Sequence, residues 1–314
     1  MMNTRAEAFA PATVANLGVG FDILGLALCE PGDIVQVMPC EEPGAHIIRI
    51  EGDNGKLPHE PEKNTACVAA NSVLKLIHAQ HGVGITVFKN LPLASGLGSS
   101  AASAVAAAVA VNKLFNEPLS MAELLPACLD GEAAVSGYHA DNVAPSLFGG
   151  ITLVWGTTPD TILQLPTPAN LHLALVTPDV EVPTVLARSV LPKQIELHTM
   201  VIQTAAVARL IDALYREDLE ALAAAMEGDR VVEPARAYLM PLLAEMRIVA
   251  KKAGALGLVI SGAGPTLCAI CADEKTAQSV SKALELAYSE ADYGSTARYT
   301  QISNNGATAR LLDD

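Results

Sequence analysis

The segment 91–115, LPLASGLGSSAASAVAAAVAVNKLF, constrains this chain more than any other stretch. Pro92 to Ser100 is a glycine- and serine-rich turn that runs without a break into an alanine-rich run of strong helix formers. Gly96 and Gly98 permit positive φ and close approach of other backbone. Ser99 and Ser100 are expected to cap the helix that starts there. Unpaired N–H groups at the positive end of a helix dipole favour a phosphate. The turn contains no lysine, which excludes the Walker pattern G-x-x-x-x-G-K-[ST]. Three readings stay open on these residues: a plain strand-to-helix turn, a phosphate loop, and a dinucleotide turn. The last arises because Gly96 to Ala101 satisfies G-x-G-x-x-A. It requires a second strand ending in an acid about 20 residues further on. Instead, Phe115 is followed by NEPLSMAELL, a turn and another helix start, so the dinucleotide reading is set aside.

Whatever phosphate ligand binds meets an acidic protein. The chain has 314 residues, enough for one large or two ordinary domains, and a net charge of −14. That charge argues against nucleic acid or an anionic membrane as partner. An anionic substrate would need locally concentrated cations, so the few arginines carry weight. Six cysteines stand at 29, 40, 67, 128, 268 and 271. Only Cys268 and Cys271 have C-x-x-C spacing, within an apolar run and without a second pair. Buried, reduced thiols of a cytoplasmic protein are therefore expected. The N-terminal residues MMNTRAEAFAPATVANLG lack a continuous apolar core, so no secretory signal is expected. The longest apolar stretch, 101–111, is too short to cross a bilayer.

Periodicity supplies a coarse map. β-branched runs at 34–38, 46–51, 85–89 and 151–155 read as strands, and 63–81 and 99–115 as helices. Residues 156–170, rich in Pro and Thr, mark a boundary. Beyond it come a strand at 171–178, helices near 195–215, 218–227 and 237–253, strands at 256–260 and 267–272, a helix at 274–289 and a strand at 296–302. The expected class is α+β, with mixed sheets covered by helices. The expected domains are 1–160 and 161–314.

Four groups of residues could carry chemistry. Asn16 and Asp22 flank a glycine turn, Leu17 to Gly20. Ser261-Gly-Ala-Gly264-Pro265-Thr266 lies between two strands. His139, Asp141 and Asn142 fall on an expected loop, where solvated polar residues are the bland alternative. Arg188 and Arg236 sit in TVLARSVLP and EPARAYLMP. Lys89 is either a phosphate ligand or a solvated strand residue. S-x-x-K pairs at Ser72–Lys75 and Ser279–Lys282 lack S-D-N and K-T-G partners and are set aside.

The string Pro92, Gly96, Leu97, Gly98, Ser99, Ser100, Ala101 and Ala102 resembles the GHMP kinase signature P-x-x-x-G-L-G-S-S-A-A. Residues 10–28 and 261–266 resemble the first and third signatures of those kinases. H-x-D-N-V-A-P at 139–145 and the two arginine segments are similar to the homoserine kinase branch. The resemblance spans about residues 9 to 302. It implies a two-domain GHMP fold, with an N-terminal mixed α/β sandwich and a C-terminal ferredoxin-like α+β domain. ATP would lie on Pro92, Leu93, Ala94, Ser95, Gly96, Leu97, Gly98, Ser99, Ser100, Ala101 and Ala102. Asn64 would contact the adenine, unless it is simply a helix cap. Thr184 would support the γ-phosphate, and Ser100 and Glu132 would hold Mg²⁺. L-homoserine would be bound by Asn16, Asp22, His139, Asn142, Arg188 and Arg236, the arginines on its carboxylate. The resemblance also implies a cytoplasmic homodimer. Asn142 stands where other GHMP kinases place a catalytic Asp, and an Asn cannot take a proton. Asp141 or the γ-phosphate itself is left to do so. Two other functions compete: a GHMP kinase for mevalonate or a sugar, and a non-catalytic ligand-binding protein of this fold.

Overall fold

The computed structural model describes residues 4–312. The chain forms β1 (Ala6–Ala15), β2 (Leu24–Cys40), β3 (Ala45–Glu51), α1 (Thr65–Leu76), β4 (Gly82–Phe88), α2 (Ser99–Leu114), α3 (Met121–Ala133), α4 (Ala140–Phe148), β5 (Ile151–Val154) and β6 (Ile162–Leu165). The second half forms β7 (His172–Pro178), α5 (Thr184–Ser189), α6 (Leu197–Arg216), α7 (Leu219–Met226), α8 (Val232–Arg236), α9 (Leu243–Lys252), β8 (Gly257–Ile260), β9 (Leu267–Cys271), α10 (Glu274–Glu290), β10 (Ser295–Gln301) and β11 (Thr308–Leu311).

A seven-stranded sheet runs β11-β1-β2-β4-β3, with β5 on β2 and β6 on β5. The 17-residue β2 is its spine. Residues Leu24–Leu26 pair with β5 and Ile34–Cys40 with β4, while β1 lies along the other edge. Only the β3–β4 pairing is parallel among the described strands. The second sheet, β10-β7-β9-β8, is antiparallel throughout. β6 lies past residue 160 and β11 near the chain's end, and both belong to the larger sheet.

Half of β1, AEAFAPATVA, is alanine, a poor strand former, so local sequence does not announce it. Pairing on both sides, with β2 and β11, makes it a strand. A register shift between Pro11 and Thr13 re-aims its later residues.

α2 is the centre of the core. Every residue from Ala101 to Asn112 is buried, and the helix packs against α1, α3, β1 and β2. Small side chains allow contact on all sides, so the apolar stretch 101–111 is a core helix. α6 is the one described helix long and apolar enough to cross a membrane by length and composition. It packs on α7, burying Ala206, Leu210, Ala213 and Leu214, and leaves Leu197, Met200 and Val201 exposed. The helix expected from 237 starts at Leu243, after a 3₁₀ turn at 237–239 and a left-handed Leu242. All six thiols are free. Four are buried as expected, but Cys29 is exposed and Cys40 half-buried.

Candidate active site

Residues from both halves of the chain enclose a cavity of about 350 Å³. Its floor is the 92–100 loop. Gly98, at φ 63°, is the N-cap of α2 and is left-handed, with no side-chain cap. Ser99 and Ser100 are therefore the first helical residues rather than caps, and their hydroxyls are free for other partners. Gly96, at φ 82°, meets the loop that follows β8: a Cβ there would lie 2.3 Å from Ser261 O. Ser261 Oγ donates to Gly96 O at 2.7 Å, and Thr266 N–H donates to Ser95 O at 3.1 Å. The two glycine loops buttress one another, an approach that a side chain at Gly96 would block.

Lys89, just past β4, is buried beneath this floor and is not a solvated strand residue. Its ammonium pairs with Asp33 and donates to Ser99 O (2.9 Å), Ser99 Oγ (2.6 Å) and Ser103 Oγ (2.9 Å). Asp33 also accepts from the backbone N–H groups of Asn90 and Leu91. This buried cluster joins β2, the end of β4 and the first turn of α2. Asp33 carried no motif, and only the folded chain reveals it.

Two carboxylates form one wall. Glu132 on α3 and Asp141 on α4 are 4% and 3% exposed. Each has one buried oxygen, Glu132 Oε2 and Asp141 Oδ1, without a hydrogen-bond partner. Burial pushes Glu132 above the usual carboxylate range, against the opposing pull of the Ser100 and Ser136 hydroxyls and of Lys89 and Arg188. Burial, reinforced by the charges of Asp22 and Glu132, pushes Asp141 up to about 7. His139, Asp141 and Asn142 are not on a loop: His139 is the N-cap residue of α4, and the other two lie in its first turn. The string ADNVAPSLF contains a Pro and several polar residues, which mask a helix that buries Ala140, Val143, Ala144 and Leu147. The His139 imidazole is held below its ordinary value by burial and by Arg188, with Asp22 opposing.

Two arginines complete the lining. Arg188 on α5 donates from Nη1 and Nη2 to the two oxygens of Asp22, at 3.0 and 2.7 Å. Burial works against the Arg188 charge, but Asp22 raises its pKa on balance. Arg236 ends α8, buried, donating from Nε to Ala187 O and from Nη1 to Gly262 O, each at 2.9 Å. Burial, then the charge of Arg188, lowers Arg236 to about 10. The ring of Phe21 lies 5.4 Å from the Arg188 guanidinium and 5.3 Å from that of Arg236. Both guanidiniums lie within cation–π range of this one ring. Asn16 donates to Gly262 O at 2.9 Å. Asn16 (φ 71°), Leu17 (φ 44°) and Asp22 (φ 60°) adopt left-handed backbone, strain concentrated in one turn of the site.

Most residues expected to form the site line this cavity: Asn16, Asp22, Glu132, His139, Asn142, Thr184, Arg188 and Arg236, with Leu93 to Gly96 and Gly98 to Ser100. Leu97, Ala101 and Ala102 are buried behind the loop as core, and Pro92 is exposed. Asn64 caps α1, accepting from Ala66 and Cys67 N–H and donating to Pro58 O, while its neighbour Thr65 lines the cavity. Phe21 and Ser136 also line it. Phe21 sits inside a recognised turn, yet nothing local says that two distant arginines will flank its ring.

The model of the GHMP kinases N terminal domain matches residues 64–150, and that of the GHMP kinases C terminal matches 210–290. Together with the interlocked glycine loops, these matches define a GHMP kinase. Homoserine kinase of Chlorobium phaeobacteroides is 40% identical over 292 residues, 90% of this chain and 91% of that protein. Homoserine kinase of Arabidopsis thaliana is 41% identical over 308 residues, 96% of this chain and 83% of that protein. A crystal structure of homoserine kinase from Cytophaga hutchinsonii superposes with a TM-score of 0.94 at 39% identity, covering 99% of this chain and 98% of the other. The chain belongs to the homoserine kinase family. A mevalonate kinase structure at 17% identity and a TM-score of 0.71 shares the fold alone.

Proposed function

We propose that this protein transfers the γ-phosphoryl group of ATP to the side-chain hydroxyl of L-homoserine, giving O-phospho-L-homoserine and ADP, a step toward L-threonine. One observation carries the reading: a single cavity is lined by a phosphate-type loop and also by Asp22, Arg188 and Arg236. That pattern suits an amino-acid head group, whose ammonium matches Asp22 and whose carboxylate matches the planar forks of the arginines. A mevalonate- or sugar-type substrate has no ammonium for Asp22. The matches to homoserine kinases over nine-tenths of the chain support the same choice.

Phosphoryl transfer depends on positioning and charge neutralisation. The backbone of Ser95 to Ser100 would cradle the ATP phosphates, with Lys89 stiffening the loop from below and Thr184 beside the γ-phosphate. The orphaned Glu132 Oε2 and the nearby Ser100 hydroxyl are hard oxygen donors suited to Mg²⁺, which when bound neutralises phosphate charge. Asn142 would orient the acceptor hydroxyl, whose proton leaves to a phosphoryl oxygen. The burial of Asp141, with its pKa near 7, favours a second reading in which that carboxylate takes the proton. Asp141→Asn separates the two. A kcat loss beyond ~10³-fold assigns the proton to Asp141, and a smaller loss assigns it to the phosphate. A homodimer in a reducing compartment, as the family resemblance and six free thiols suggest, belongs to the same reading.

The test is a coupled ADP-release assay with L-homoserine, mevalonate and galactose side by side. Turnover with homoserine is expected. Turnover only with another alcohol overturns the substrate, and none with any alcohol favours a non-catalytic binder.

A further inference from the structure

The Asn142 amide is held from behind. Thr13, fully buried on β1, donates its hydroxyl to Asn142 Oδ1 at 2.6 Å, across 129 residues of sequence. The Thr13 backbone N–H donates to Leu97 O at 3.1 Å, so one residue ties both the acceptor end and the phosphate loop to β1. Gly98 closes the third side. A Cβ there would lie 2.1 Å from Thr13 Oγ1 and 2.8 Å from Asn142 Oδ1, so only glycine leaves the pair its space.

This junction holds the inner end of the amide and leaves the other end to the cavity. With Oδ1 engaged, Nδ2 is the remaining polar end of a side chain that lines the cavity, and among the described residues none accepts from it. An amide N–H donates to a hydroxyl oxygen and leaves that hydroxyl's own proton free to point elsewhere. The reverse rotamer would present a carbonyl, which would draw the same proton away from the phosphoryl oxygens.

We infer that Thr13 is a positioning residue for phosphoryl transfer: its buried hydroxyl anchors the Asn142 amide and so fixes where its free Nδ2 end meets the acceptor alcohol. The inference rests on the alcohol-kinase reading of the site. Thr13→Val removes the hydroxyl at equal volume, and Thr13→Ser retains it. Thr13→Val is expected to lower kcat about 10- to 100-fold with the ATP KM nearly unchanged, as mispositioning does. Thr13→Ser should restore most of that loss. In an Asn142→Ala background Thr13→Val should add nothing, because the two residues act as one unit. Thr13→Ala gives the same comparison if valine perturbs folding. An unchanged kcat in Thr13→Val, or an equal loss in the Asn142→Ala background, overturns the inference. A readout independent of turnover is the NMR signal of the Asn142 side-chain amide, assigned by its loss in Asn142→Ala. It should move in Thr13→Val and hold in Thr13→Ser, and an unmoved signal overturns the inference even if the kinase reading itself fails.

Discussion

Arg188 grips Asp22 with both terminal nitrogens, joining residues 166 apart in the chain through a bond of 3.0 Å and another of 2.7 Å. Both side chains line the cavity and are about one-third exposed, at 31% and 28%. An α-amino acid carries the same two charges as this pair. On the proposed function, its entry would exchange one ion pair for two, ammonium on Asp22 and carboxylate on the arginines, so the head group would find compensated partners rather than bare buried charges. A substrate with only one of the two charges would leave its counterpart unmatched.

Arg236→Ala should raise the KM for homoserine about 10- to 100-fold, since hydrogen bonds to a charged group contribute about 1.5–3 kcal/mol. The KM for ATP should stay within about two-fold of its original value. Steady-state kinetics with each substrate varied in turn provide the check. Equal effects on both constants would remove Arg236 from the carboxylate site.

Phe21→Leu keeps an apolar side chain but loses the π-face shared by two guanidiniums. Cation–π contacts contribute about 0.5–2 kcal/mol, so the homoserine KM should rise roughly 3- to 30-fold without a matching change for ATP. A homoserine KM identical to that of the unsubstituted protein would mean that packing alone holds the arginines.

Lys89→Met tests the buried cluster below the loop. The Lys89 and Asp33 side chains are 2% and 0% exposed, and breaking one partner of such a pair costs about 3–5 kcal/mol. Urea denaturation should show that loss, and adding Asp33→Asn should recover part of it. If the double variant is as unstable as the two single losses summed, the residues do not act as a pair.

Asp141 should make stability depend on pH. Its native value near 7 lies above its ordinary 3.8, chiefly through burial and then through Asp22 and Glu132. Between about pH 4 and 7 the native state therefore holds a proton that the unfolded chain has released. Stability from this group is full below that window and falls as pH rises through it. Asp141→Asn abolishes the titration. Measured without nucleotide or Mg²⁺, the Tm of Asp141→Asn relative to the unsubstituted protein should climb from pH 5 to pH 8. A flat or declining difference would show that Asp141 ionises at an ordinary pH in the folded protein.

Features whose chemistry is local were legible in the amino-acid sequence alone. Gly96 and Gly98 before an alanine-rich run specify a turn, a helix and a cradle of N–H groups, because glycine conformation and helix geometry act within a few residues. The strings around Asn16, Asn142, Arg188 and Arg236 marked the residues of the cavity wall before any contact was known. Which of these polar groups face one another was settled by long-range packing. It made Lys89 a buried partner of Asp33, brought Phe21 within reach of two arginines, used the Asn64 side chain as a cap, and set Asp141 in a helix where its charge is disfavoured. Thr13 shows the physical reason most plainly. Its hydroxyl acquires meaning from an amide 129 residues away, and no local preference can encode a 2.6 Å contact that exists only once β1 and α4 have packed.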